Sequence, residues 1–373
     1  MKISDVKTYI VPEDVSVTPW VNGDPWVLVQ VMTDTGISGW GHAHTLYERE
    51  EAIARKVHDL AQRMDGMDPF RIKHFMMRAG EGTNGAPIGI ETAAAAAGIE
   101  IALWDIVGKA LDAPVHQLLG GRCRDRIALY ANCWSNVVRS PDELASFATV
   151  QVERGFRAVK IYPFLYNVGT AHGIACIRAV REAVGADVDV FVDMLEDMPS
   201  EAPNLIFDAL GANGVTWLED PAPSSDIAGL SRIRRQSAAL IVSGEDVFSK
   251  DGFARLCAAG AADILNPEVA LLGILGMKEV AAIAEAYDLQ IAVHNANTMT
   301  IGFAAAVQAA ASIPNTKWVE YFPTLEAGSN SFSRFPFELD ETGSIAIPRS
   351  PGLGVTVDEP ALRAMEYFPS LDG

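Results

Sequence analysis

A parallel (β/α) barrel of the TIM type, with an α+β domain in front of it, is the fold the sequence predicts. Three observations carry this. Six ionisable residues, Asp193, Glu219, Glu245, Glu268, His294 and Glu320, recur at intervals of 26, 26, 23, 26 and 26 residues. Each lies at or just past the end of a short apolar run: DVDVFVD, GVTWLED, ALIVSGED, ADILNPE, LQIAVHN and KWVEYF. Helix-length segments separate these runs. An apolar run, a polar residue and a helix-length segment make one β/α unit. When the unit repeats, the C-terminal strand ends face one mouth, and ionisable residues far apart in sequence meet there.

The elements follow in order. Residues 1–45 read as strands: MKISDVKTYIV and PWVLVQVMTD, then the turn TDTGISGWG leading into a third. Residues 49–112 read as helices, of which IETAAAAAGIEIALWDIVGKAL has the strongest helical spacing and good helix formers. Gly120 and Gly121 end this α+β domain. Eight strands are then predicted: IALYANC, FRAVKIY, VDVFVDM, GVTWLED, ALIVSGED, ADILNP, LQIAVHN and KWVEYF, joined by seven helical linkers such as SPDELASFATVQVERG. After about residue 325 the pattern gives way to the Gly/Pro-rich FELDETGSIAIPRSPGLGVTVD. The expected organisation is a capping domain over residues 1–122, a barrel over 123–325, and a C-terminal segment, 326–373, that packs on the cap.

Bulk composition narrows the function. The 373 residues are 49% hydrophobic and 21% charged, enough for a sizeable core. A formal net charge of −19 argues against nucleic acid, whose phosphates demand a basic face. It leaves an anionic small substrate open, because a metal ion reverses the local field. Cys123, Cys133, Cys176 and Cys257 show neither CxxC spacing nor a disulfide framework, so reduced thiols are expected. The N-terminus lacks an apolar signal core, and no apolar run reaches the roughly 18 residues of a membrane span. A soluble cytoplasmic protein, bound to no membrane, is expected.

The segments IEIALWDIVGKALDAPVHQLLGG, GFRAVKIY, FVDM, WLEDP, SGED and the NPE-to-GIL stretch, in this order and spacing, resemble the enolase superfamily. Within it they resemble the mandelate racemase/muconate lactonizing enzyme branch, over essentially the whole chain. The resemblance implies an α+β cap over a modified (β/α) barrel, and a divalent metal, usually Mg²⁺. It further implies proton abstraction next to a carboxylate, and a homo-oligomer.

Asp193, Glu219 and Glu245, at the ends of the third, fourth and fifth strands, are the expected metal ligands. Three hard oxygen ligands suit Mg²⁺. The plain alternative is strand-end caps or solvated loop acids. Asp220 and Asp246 follow two of these ligands and are expected to be structural or to stand behind them; Asp246 competes with Glu245 for the third position. Removing a proton next to a carboxylate builds an enediolate, whose charge a bound Mg²⁺ stabilises.

Two groups flank the metal. Lys160 and Tyr162, two apart on the second strand, point to one face. The branch commonly has Lys-x-Lys here with the second lysine as base; some of its acid-sugar dehydratases have tyrosine. A phenol with a pKa of about 10 needs help to act as base, and Lys160 beside it supplies a charge favouring phenolate. Tyr162 as a mere pocket wall is the alternative. On the other side, the resemblance pairs His294 with Glu268 as a dyad in place of the usual His–Asp, the carboxylate orienting the ring. Glu320 matches the family's acid that hydrogen-bonds a substrate oxygen, for which it would be protonated or shared. The usual Asp-x-Asn of the third strand is Asp193-Met194-Leu195 here. In the cap, Trp20, Trp26, His42 and His44 are candidates for the loops that close such sites, with packing in the cap sheet as the alternative.

The reading is a Mg²⁺-dependent hydro-lyase that converts an aldonate or aldarate into a 2-keto-3-deoxy acid. Lys160, Tyr162 or His294 takes the C2 proton, and His294 helps the 3-hydroxyl leave. The rivals are a racemase, epimerase or lactone cycloisomerase on the same site, and a non-catalytic binder of metal or sugar acid.

Overall fold

The structure is a computed structural model that describes residues 1–12, 25–44, 48–80, 88–199, 203–296, 298 and 300–365. The chain begins with three antiparallel strands in a meander: β1 (Ile3–Val11), β2 (Trp26–Thr33) and β3 (Ser38–Ala43). Helices α1 (Glu50–Ala61), α2 (Ile72–Ala79) and α3 (Ile90–Ala110) follow. The alanine run makes α3 thin enough to lie hard against the sheet. A Cβ at Gly41 of β3 would stand 1.8 Å from the Gly98 carbonyl oxygen of α3, so only glycine permits the approach. Asp105 of α3 then ties three segments. Its Oδ2 accepts from Trp40 N (3.0 Å) and Lys109 Nζ (2.6 Å), and its Oδ1 accepts from Leu353 N (2.9 Å).

After the single-turn α4 (Val115–Leu118) the barrel begins. Its strands are β4 (Arg126–Asn132), β5 (Ala158–Ile161), β6 (Asp189–Asp193), β7 (Trp217–Glu219), β8 (Leu240–Ser243), β9 (Ile264–Leu265), β10 (Gln290–Val293) and β11 (Thr316–Tyr321). Each pairs in parallel with the next, and β11 pairs with β4, which closes an eight-stranded parallel barrel. Seven helices, α5 (Pro141–Glu153), α6 (Thr170–Val184), α7 (Pro203–Ala212), α8 (Ile227–Gln236), α9 (Lys250–Ala259), α10 (Val269–Ala286) and α11 (Ile301–Ala311), join the strands among the described residues. Helix α5 shows how local sequence starts one: Ser140 caps the amide of Glu143, Glu143 reaches back to Ser140 N, and Pro141 fills the first turn.

The segment beyond β11 touches both parts. Its strand Ser344–Ala346 runs antiparallel to β4, and its last helix, Glu359–Met365, meets the cap where Glu359 Oε2 accepts from Gln30 Nε2 (3.2 Å). None of the described helices is long and apolar enough to cross a membrane.

Candidate active site

Inside the barrel, an apolar layer supports a polar one. Tyr130, Ala158, Phe191, Trp217, Val242, Ile264 and Ala292 pack together, with Trp318 against them. Phe191 stacks on Trp217 at 4.4 Å between ring centroids. Two residues further along seven of these eight strands stand Asn132, Lys160, Asp193, Glu219, Asn266, His294 and Glu320. The period of two along a strand puts each above its apolar partner, at the mouth. On β8 the corresponding residue is Gly244, whose φ of +132° turns the chain so that Glu245 follows one position late. The interval of 23 before Glu268 reflects a short unit, since the mouth positions Gly244 and Asn266 are only 22 residues apart and Glu268 stands two residues past Asn266.

The polar layer forms one bonded network. Lys160 is fully buried, its Nζ 2.6 Å from Glu219 Oε1, 2.8 Å from Glu320 Oε1 and 3.1 Å from Asp193 Oδ2. Glu219 also accepts from Asn266 Nδ2 (3.1 Å) and Trp217 Nε1 (2.8 Å). Across the mouth, His294 Nδ1 lies 2.9 Å from Glu268 Oε2, and its Nε2 lies 2.8 Å from Glu245 Oε2 and 3.3 Å from Glu320 Oε2. Glu320 thus reaches Lys160 with one oxygen and His294 with the other. Asn132 Nδ2 donates to Glu320 Oε1 and to the Tyr162 hydroxyl, each at 2.7 Å. Tyr162 packs edge-on against Trp134 at 4.8 Å.

Burial and charge set the protonation states. Burial opposes charge on His294, but Glu245 and Glu320 overcome it and hold the ring protonated well above its ordinary range. In return Glu245 is held at about 2, His294 outweighing burial. Glu320 is held below its ordinary value, because Lys160 and His294 outweigh burial; in this state it is ionised rather than protonated. Tyr162 departs from expectation. Burial pushes its phenol well above 10, and Lys160, shared among three carboxylates, does not bring it down. The phenol is therefore protonated here. Burial also raises Glu219, to about 8, and Asp193, each against the pull of Lys160 and with neighbouring acids adding to the rise.

The residues fit a hard divalent cation. Six carboxyl groups, Asp193, Glu219, Asp220, Glu245, Glu268 and Glu320, surround the two cations Lys160 and His294, and the excess is negative. Both carboxyl oxygens of Asp220 are buried without a hydrogen-bond partner among the described residues. Asp220 is held at a φ of +35°, strain of the kind that gathers at functional sites. Ligand atoms of Glu219, Glu245 and His294 all lie within 4.8 Å of one another. Asp193 pairs with Glu219 in register but is drawn to Lys160, and so stands outside that group. Asp246 is exposed and Glu245 half-buried.

The cap candidates divide. Trp20 lies outside the described residues. Trp26 is buried in the cap sheet against Phe332, their rings 5.8 Å apart, which is packing. His42 is buried with neither ring nitrogen bonded to any of the described residues, and burial pushes its pKa down to about 3. His44 is half-buried and close enough to Glu268, His294 and Glu245 to feel their charges. The sequence reading missed Asn132, Asn266 and Trp217. The signal was present: Asn132 ends the first strand, and Trp217 sits two residues before Glu219.

In chelator-treated protein, ring-nitrogen NMR should show His294 still protonated above pH 6.5, while His42 stays neutral well below it. The stability terms have opposite signs. The His294 contribution is full below about pH 6.5 and fades as pH rises through its folded pKa. The His42 contribution is full above that pH and fades as pH falls toward about 3. A His294 neutral at pH 6 would contradict the network.

Comparison with known proteins agrees with this architecture. Residues 1–120 match the mandelate racemase/muconate lactonizing enzyme N-terminal domain, and residues 143–361 match the enolase C-terminal domain-like family. The chain is 29% identical to a D-gluconate dehydratase of Thermoproteus tenax, over 99% of this chain and 75% of that one. It is 31% identical to a D-xylonate dehydratase of Haloferax volcanii, over 93% and 87%. A crystal structure of an enolase from Sargasso Sea environmental sequence superposes with a TM-score of 0.92 at 27% identity, covering 99% of this chain and 98% of that one. The chain belongs to the mandelate racemase/muconate lactonizing enzyme family of the enolase superfamily.

Proposed function

We propose that this member of the mandelate racemase/muconate lactonizing enzyme family is a Mg²⁺-dependent hydro-lyase that dehydrates an aldonate to a 2-keto-3-deoxy acid. The observation that carries the reading is Glu320 set between Lys160 and His294, which puts proton-handling groups on two sides of one acidic pocket. Relatives that act as dehydratases on D-gluconate and D-xylonate support the reaction class.

Asp193, Glu219 and Glu245 would hold the cation, which supplies positive charge to the substrate carboxylate as the C2 proton leaves. The other steps fall to the chain. Lys160 and Tyr162 line the β5 side. The C2 proton would pass to the Tyr162 oxygen as phenolate, formed when the phenol first gives its own proton to solvent, a form that the charge of a bound cation beside Lys160 would favour. Asn132 fixes that oxygen. His294, oriented by Glu268 through Nδ1, offers the Nε2 proton to the departing 3-hydroxyl from the β10 side. Trp134 and Tyr162 wall the β5 side.

Charge at the mouth favours a substrate with one carboxylate. Among the described residues, the loops that follow the eight strands carry seven acids: Glu196, Asp197, Asp220, Asp226, Glu245, Asp246 and Glu268. Against them stand His294 and Arg139, and Arg139 is bonded to Ser135 Oγ (2.9 Å) and paired with Glu143 (3.5 Å). A second carboxylate at the far end of an aldarate would meet acids; a hydroxyl would not.

The test is a screen of purified protein with Mg²⁺ against aldonates and the aldarates of matching configuration, with 2-keto products read by semicarbazide. Product from one or more aldonates and none from the aldarates is expected. Preferred turnover of an aldarate would overturn the substrate class. Accumulation of an epimer without 2-keto product would overturn the reaction.

A further inference from the structure

Glu268 leads into a stretch of chain that is not regular helix. Its Oε1 accepts from Ala270 N (2.8 Å), and its Oε2 accepts from Ala296 N (2.9 Å) beside the bond to His294. Five residues later the helix breaks at Gly273, with φ +70° and ψ 170°, and resumes at Ile274. The turn from Glu268 to Gly273 therefore sets where the dyad carboxylate points. A restarted helix exposes backbone N–H groups with no partner of their own.

The cap supplies the partner. Glu100 of α3 is fully buried, and its Oε2 accepts from Ile274 N (2.8 Å) and its Oε1 from Leu275 N (2.9 Å). Trp104 Nε1 donates to the same Oε1 (2.7 Å). A Cβ at position 273 would stand 2.5 Å from Glu100 Oε2, so the glycine makes room for the carboxylate as well as for the positive φ. A second tie from the cap falls on the same turn, where His44 N donates to Ala270 O (3.2 Å).

We propose that Glu100 is a positioning residue: from the cap, it holds the Glu268–Gly273 turn and through it aims Glu268 at His294. The proposal rests on the dehydratase reading for its effect on turnover, but not for its effect on the turn. Glutamine at position 100 keeps the size and offers one acceptor oxygen. Its NH₂ then faces the second backbone N–H, donor against donor, and one end of the turn is released.

The experiment compares Glu100→Gln, Gly273→Ala and Trp104→Phe with the wild type, all as full-length protein. Amide hydrogen exchange reads the turn, and steady-state kinetics on the sugar acid found by the screen reads the dyad. Glu100→Gln should speed exchange at Ala270, Ile274 and Leu275 by about tenfold or more. It should lower kcat by about tenfold to a hundredfold, the usual weight of a residue that orients a ligand or catalytic group, with KM within about twofold. Gly273→Ala should show the same signature, and guards against an unfolded Glu100 variant. Trp104→Phe removes a Glu100 partner yet keeps both backbone bonds; it should lose thermal stability while exchange at the turn and kcat stay at wild-type values. Unchanged exchange in Glu100→Gln would overturn the proposal, as would a loosened turn with wild-type kcat. A wild type inactive on every sugar acid would refute the dehydratase reading, and the exchange data would still decide whether Glu100 holds the turn.

Discussion

Glu219→Gln should lower turnover by about three orders of magnitude or more and leave the fold intact. The carboxylate is fully buried, is one of the three proposed cation ligands, and carries the charge that a neutral isostere removes. Loss of the several kcal/mol that a bound cation contributes at the transition state corresponds, at about 1.36 kcal/mol per decade, to at least that factor. The fold survives for a reason visible in the same site. Burial and the neighbouring acids raise Glu219 to about 8, so the metal-free pocket already favours its neutral form, and Lys160 keeps Asp193 and Glu320 as partners. A folded state that prefers the protonated carboxyl is stabilised by it below about pH 4.5 and loses that stabilisation as pH rises toward 8. The metal-free variant should accordingly melt at or above the wild-type temperature at neutral pH. Full turnover of Glu219→Gln after chelation and Mg²⁺ replacement would remove Glu219 from the metal site.

His294→Asn is the second large effect, a fall in 2-keto product formation of about two to four orders of magnitude, the usual weight of a general acid. Asparagine keeps a polar group near Glu268 but carries no exchangeable charge. Glu245 and Glu268 lose their shared cation in the process. The defect should therefore be in kcat, with binding of the sugar acid, followed by ligand-induced thermal shift, largely retained. Equal kcat in the variant and the wild type would leave the 3-hydroxyl without an acid from this chain.

The barrel was legible because its signal is repeated. Each strand carries a few apolar residues and a polar end, and the spacing of Asp193, Glu219, His294 and Glu320 is the spacing of β/α units. What escaped was chemistry that looks ordinary in one dimension. Asn132 and Asn266 are neutral residues, so a search for ionisable groups passed over them, yet they bond Glu320, Tyr162 and Glu219. The protonation states also escaped. Sequence adjacency suggested that Lys160 would lower the Tyr162 phenol, whereas the fold brings three carboxylates onto Lys160 and buries the phenol. Charge sharing across strands depends on distances that no spacing along one strand contains. Glu100 belongs to the same class: on the helix it is one acid among alanines, and its partners lie 174 and 175 residues away.

The central claim is that a proton leaves C2 on the β5 side and another arrives from His294 on the β10 side. Its most direct test is NMR of the substrate C2 position in D₂O with Mg²⁺, comparing His294→Asn and Tyr162→Phe. In His294→Asn the C2 hydrogen should wash out into solvent while no 2-keto product forms, because abstraction survives and elimination does not. In Tyr162→Phe both should fall together, by about two to four orders of magnitude. Exchange that persists in Tyr162→Phe but vanishes in His294→Asn would contradict the account and move both proton transfers to His294.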